Sequence, residues 1–166
     1  MSTVSDGEGR PEGARVTRES LHAPFRPFRA RAVSRVIATV ELLVVGVPAL
    51  LINRSGPGAF SWTDRLSIFA LGLVIAAFIF RFSFLSAIPS ESGLVVHNLV
   101  QTTRLEWAQI VSVRFGGGNP WVLLDLDDGD TLAVMAVQRA DAARGEAEAQ
   151  RLATLVALHS QTPRNT

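Results

Sequence analysis

The chain has 166 residues, 48% of them hydrophobic and 19% charged, with a mean hydropathy of +0.26 and a formal net charge of +1. That composition is more apolar than an ordinary soluble domain and excludes a wholly disordered chain, and the near-neutral charge argues against a nucleic-acid partner. Cysteine is absent, which excludes disulfide frameworks, cysteine zinc sites and cysteine nucleophiles.

Residues 1–30, rich in Ser, Gly, Glu, Pro and Arg, carry no apolar periodicity and read as a disordered arm. From Val36 to Ile52, seventeen residues contain one charge, Glu41, and the stretch extends back to Ala32 past Arg35. At about 1.5 Å per residue the extended run spans roughly 30 Å, the hydrocarbon thickness of a bilayer. Leu66 to Phe80 is free of charge and reaches spanning length by continuing past Arg81 to Leu85. The sequence therefore predicts transmembrane helices at 31–53 and 64–85. They are joined by an extracytoplasmic loop, 54–63, where Gly56, Pro57 and Gly58 break helix and Trp62 suits a membrane interface.

Arg26, Arg29, Arg31, Arg35 and Arg81 flank the outer ends of this hairpin, against Arg54 and Arg65 at the loop. The bias places both termini in the cytoplasm of a cell with the protein in its plasma membrane. The arginines before the first span are read as topology signals and as general attraction to anionic membrane lipids. Glu41 stands out, because an ionised carboxylate in hydrocarbon costs several kcal/mol unless paired. An antiparallel hairpin is expected to bring it near the level of Arg81, so a Glu41–Arg81 ion pair is predicted to lock the register. Gly46 with Ala49, and Gly72 with Ala76, offer small faces on which the helices approach closely.

Beyond Pro89 the pattern changes to alternation. Strands are predicted at Gly93–Asn98, Val100–Trp107, Val111–Phe115, Trp121–Leu126 and Thr131–Val137, with Asp128-Gly129 turning the last pair into a hairpin. From Asp141 to His159 the spacing of Ala142, Gly145, Ala149, Leu152, Leu155 and Val156 predicts an amphipathic helix with Asp141 as its N-cap. These elements make an α+β domain over 86–159, an antiparallel sheet curled against one C-terminal helix, followed by a disordered tail, 160–166.

Chemistry-bearing constellations are sparse. The acidic run Asp125, Asp127, Asp128, Asp130 lacks the glycine and glutamate positions of a calcium loop and reads as a hairpin turn. Gly116, Gly117 and Gly118 precede a strand rather than a helix and form a flexible loop rather than a phosphate cradle. His22, His97 and His159 lack metal-ligand spacing, and neither a GxSxG elbow nor an HExxH helix occurs. No catalytic, metal or cofactor-binding residue is assigned, and the chain is not expected to be an enzyme.

The strings GLVVHN, RLEWAQIVSVRF and PWVLLDLDDGDTLAVMAVQRAD, followed by the alanine- and arginine-rich helix, resemble the bacterial pleckstrin-homology-like (PH-like) domain of small actinobacterial membrane proteins. The similarity covers roughly residues 24–158, and its most specific parts are the RLEW and LLDLDDG stretches. It implies a membrane hairpin followed by a β-barrel or sandwich of seven strands in two near-orthogonal sheets, capped by a helix. It implies little about activity, because the fold serves protein, peptide and lipid binding alike. Where lipid-binding members of the wider superfamily carry basic clusters on the first hairpin, this chain has Ser90, Glu91 and Ser92, which argues against lipid headgroup specificity. The expected function is a non-enzymatic integral membrane protein that displays its domain for protein contacts or self-assembly. A strand edge, or the groove between sheet and helix, would accept the partner, with Trp121, Asn119, Arg104 and Arg114 as candidate contacts. For Trp121, packing in the core against the helix is the favoured reading over a partner contact. The alternative is a lipid or small-ligand sensor, which requires Arg104, Arg114 and His97 to share one pocket.

Overall fold

A computed structural model describes residues 21–52, 56 and 59–160. Most of the predicted arm, part of the loop after the first helix and nearly all of the predicted tail lie outside them. Two long antiparallel helices precede the sheets. The first, α1, runs over Phe28–Leu51, and the second, α2, over Trp62–Arg81, prolonged by a 3₁₀ turn at Phe82–Phe84. Both are long and apolar enough to cross a membrane. Their large side chains point outward: Val36, Val44, Leu51, Leu66, Leu71 and Val74 are all more than 60% exposed. Between the helices lie small residues, Ser34, Ala38, Gly46 and Ala49 facing Gly72, Ala76 and Ser83. Gly46 abuts the Phe69 ring, and a Cβ at Gly72 would sit 3.2 Å from Val45 Cγ1, so the backbones meet at close range.

α1 is not uniform. Leu42–Gly46 forms a π-helical segment between α-helical Phe28–Glu41 and Val47–Leu51. Pro48 has no N–H to return to the carbonyl four residues before it, and the wider turn absorbs that missing bond.

Both ends of α1 are capped by charged groups from outside the helix. At its start, the Asp141 carboxylate accepts the Phe28 and Arg29 N–H groups at 3.0 and 2.9 Å. At its end, the buried Arg65 guanidinium donates to the Ile52 carbonyl at 2.6 Å. A negative charge at the first turn and a positive charge at the last both oppose the helix dipole favourably. Helix α2 starts with its own capping box: Asp64 N–H donates to Ser61 Oγ at 3.1 Å and Ser61 N–H to the Asp64 carboxylate at 2.9 Å.

Six strands follow among the described residues. β1 (Ser86–Pro89), β2 (Gly93–His97) and β3 (Thr102–Glu106) make one antiparallel sheet, and β4 (Ile110–Arg114), β5 (Trp121–Leu126) and β6 (Thr131–Gln138) make a second. Neither sheet closes into a barrel, and six strands stand where the resemblance implied seven. β1 escapes sequence reading because it continues directly from the apolar hairpin and is only four residues long. Asn98 ties the sheets together: its side chain donates to Ala133 O at 2.7 Å and accepts Met135 N–H at 3.2 Å on β6.

Helix α3 (Ala143–Ser160) covers the second sheet with Leu152, Leu155 and Val156. These join Leu94, Val96, Leu105, Val122, Leu124 and Val134 in one core. Each fully buried Leu or Val there contributes about 1.5–3 kcal/mol relative to exposure. Trp107 lies in the same core, donating Nε1–H to Ser90 O at 2.9 Å while its ring stacks on His159 at 4.6 Å. Gly145 has no space for a side chain, since a Cβ would stand 2.1 Å from Gln138 O.

Three sequence expectations are corrected here. Residues 21–30, read from sequence as the end of a disordered arm, are ordered and in part buried. Phe25 is fully buried and exchanges backbone hydrogen bonds with Ala87, 2.8 and 3.0 Å long, beside β1. Arg151 holds the same segment, its guanidinium 3.8 Å from the centre of the Phe25 ring and donating to Ala23 O at 2.8 Å. Asp141 caps α1 rather than its own helix, because Ala142, with φ 52°, turns the chain sharply between them.

The predicted Glu41–Arg81 pair is not formed. Glu41 lies opposite Gly72, a Cβ there falling 3.3 Å from Glu41 Oε1, and Gly72 is nine residues before Arg81 in α2. That separation is roughly 13 Å along a helix axis, beyond a side-chain ion pair. Arg81 donates instead to the Leu99 carbonyl. Both Glu41 carboxylate oxygens are buried without a hydrogen-bond partner among the described residues.

Candidate functional site

The sheet–helix groove expected from sequence is present as a cleft of about 330 Å³ where β4 meets α3. Val113 and Phe115 form one wall, and Ala149, Gln150, Ala153 and Glu146 the other. Its origin is local. Helix α3 turns Leu152 and Leu155 into the core, and the residues bordering the cleft at 149 and 153 are alanines four positions apart, too short to fill the space beside β4. Among the described residues β4 pairs with β5 alone, which makes it an edge strand of its sheet. Val111 on it is 66% exposed. The site offers an apolar floor, a polar rim from Glu146 and Gln150, and a nearby strand edge. It holds no constellation for bond-making chemistry.

The four candidate contacts fall elsewhere and do not converge. Arg114 is held by Asp125, with Nη2 2.6 Å from the carboxylate, and Ser112 Oγ donates to the same group. The Ser112 hydroxyl first, and then Arg114, keep the Asp125 carboxyl below the usual carboxylate range. Arg104 is exposed on β3 opposite Val95, on the first sheet, where His97 Nδ1 lies 3.0 Å from Thr102 Oγ1. Arg104 and His97 thus share a sheet face that Arg114, on β4 and already neutralised, does not join. Asn119 closes its own turn through N–H to Gly116 O at 3.1 Å. Trp121 is half-buried at the bulged start of β5, and Trp107 is the tryptophan of the core.

The acidic run forms the expected hairpin turn. Gly129 has φ +88°, and Asp128 accepts the Asp130 N–H at 2.9 Å. His22 and His159, far apart in sequence, meet with ring centroids 5.8 Å apart, a pairing invisible to spacing arguments. Among the described residues no group of three or more His, Asp or Glu side chains is placed to hold a metal. Val113, Phe115 and Ala153 were missed as site residues; the one signal was the alanine-rich composition of the final helix.

Two three-stranded sheets, a helix packed on the second, and a preceding helical hairpin define the class as a PH-like domain on a two-helix stem. A family model described as "Bacterial PH domain" matches residues 90–154. The uncharacterized protein Rv1417 of Mycobacterium tuberculosis and the uncharacterized protein Mb1452 of Mycobacterium bovis are each 31% identical over 137 residues, covering 82% of this chain and 87% of theirs. The chain belongs to the bacterial PH domain family, and these relatives are actinobacterial. No solved structure matches it significantly.

Proposed function

We propose that the protein is a non-enzymatic membrane protein whose helical hairpin anchors it in the plasma membrane, with both termini and the PH-like domain in the cytoplasm, and whose domain binds a protein segment. The observation that carries the membrane reading is the outward-facing apolar surface of both helices, with side chains such as Leu51 and Trp62 more than 70% exposed. In water that continuous surface far exceeds what a monomeric domain leaves uncovered. In lipid it is solvated, and the small residues between the helices let them pack without a hydrophobic drive.

The cleft beside β4 is where the partner segment lies, adding its backbone to the strand edge and placing an apolar side chain between Phe115 and Ala153. The partner is either another protein or a second copy of the chain. A photo-crosslinking residue placed at Ala153 in the full chain, expressed in cells, is expected to give a discrete adduct that is lost in Phe115→Asp. Persistence of the adduct in that variant, or adducts only from Arg104 on the first sheet, refutes the cleft. Alkaline carbonate extraction tests the anchor separately: release of the chain from membranes refutes it.

A further inference from the structure

A second cleft, of about 380 Å³, opens where the arm, the start of α1 and the start of α3 come together, and Arg26, Arg31, Arg35 and Arg144 line it with Pro24 and Phe28. We propose that it binds the phosphate headgroup of an anionic phospholipid, an inference that rests on the membrane reading above. General attraction of basic residues to a membrane needs no cleft and no contribution from the distant α3.

The arrangement follows from the local structure. Phe25 and Pro27 are buried, so the residue between them, Arg26, is turned outward. Arg31 and Arg35 are four residues apart and share one face of α1. Arg144 arrives from the domain and lies over the Phe28 ring at 5.7 Å. Four like charges in one cleft repel unless an anion joins them. Among the described residues none of the four is salt-bridged, and Arg31 spends only its Nε–H, on Ser83 O at 3.1 Å. The neighbouring acid, Asp141, opposes an anion, but its two oxygens are committed to the Phe28 and Arg29 N–H groups. The site therefore gathers four cations against one carboxylate. Because Asp141 already caps the helix, guanidinium groups and not the helix N-terminus would hold the phosphate, in the forked geometry arginine favours.

Depth selects lipid over free phosphate. From Phe28 to Arg35 the cleft runs seven residues along α1, about 10 Å, enough to cross one headgroup layer of roughly 5–8 Å and reach the hydrocarbon edge. Exposed Val36 and Val40 follow Arg35 along α1, where acyl chains would begin.

The test uses the purified full chain in neutral detergent, titrated with short-chain phosphatidylglycerol, short-chain phosphatidylcholine and inorganic phosphate. Saturable binding of phosphatidylglycerol alone is expected, weakened roughly five-fold by each of Arg26→Gln and Arg144→Gln, with Arg104→Gln as a silent control. Unfolding midpoints matching the parent chain show that these variants are folded. Equal binding by the double variant, no saturable binding, or inorganic phosphate binding as tightly as the lipid overturns the proposal. If the chain resists carbonate extraction but shows no headgroup preference, only this inference fails; if it is extracted, the membrane reading fails first.

Discussion

Asp141→Ala separates the domain from the stem at one point. The variant removes both acceptors of the Phe28 and Arg29 N–H groups and the negative charge at the start of α1. Loss of a helix cap costs about 1 kcal/mol, and loss of a favourable charge at the dipole a further ~0.5 kcal/mol. The bonds are solvent-exposed, so water takes up the freed N–H groups and no larger desolvation cost is added. The sum, about 1.5 kcal/mol, corresponds to a fall of roughly 4 °C in the melting temperature of a chain this size. Thermal unfolding in detergent measures the total, and amide hydrogen exchange locates it. Phe28 and Arg29 are expected to exchange faster, while the first turn of α3 is unchanged. Asp141→Asn, which keeps one acceptor oxygen without the charge, should recover about half. An unchanged melting temperature, or faster exchange confined to residues 143–145, would refute the assignment and restore Asp141 as the cap of its own helix.

The adjoining Ala142 adopts φ 52° and ψ −131°, a conformation that favours glycine, so Ala142→Gly should stabilise the chain by about 0.5–1.5 kcal/mol in the same unfolding assay; a destabilised variant would show the corner to be unstrained. Glu41→Met keeps side-chain length while removing a buried carboxylate that has no hydrogen-bond partner among the described residues, and is expected to stabilise the hairpin by about 2 kcal/mol. A loss of stability there would reveal a donor held by the carboxylate. Asp125 has a lowered pKa in the folded chain, so the stability it supplies is present above the ordinary carboxylate range and disappears as pH falls through that lowered value. Unfolding curves from neutral pH down to about pH 2 should therefore show less acid sensitivity in Asp125→Asn, and identical pH profiles would contradict the Ser112 and Arg114 contacts.

The sequence by itself determined the elements whose periodicity is strong. The two apolar helices, all five predicted strands to within two residues at either end, the Asp-Gly hairpin and the final amphipathic helix all follow from patterns within ten to twenty residues. The largest offset is at β3, which starts at Thr102 rather than Val100 because Asn98 and Gln101 close a turn before it. The small faces at Gly46 and Gly72 were equally legible, since close helix approach leaves few alternatives to glycine and alanine.

Tertiary structure decided whatever depends on register between distant segments. Glu41 faces Gly72 rather than Arg81 because helix packing, not charge, sets the hairpin register. Asp141 reaches back to α1, and Arg151 grips the arm, through contacts more than a hundred residues apart. The same is true of both clefts. The arginines before α1 were visible, but Arg144 joins them only after the domain folds onto the stem. Phe115 and Ala153 become neighbours only when α3 lies beside β4. Hydrophobic periodicity is a local signal carried by each segment alone, whereas a binding site is a property of which segments the core brings side by side.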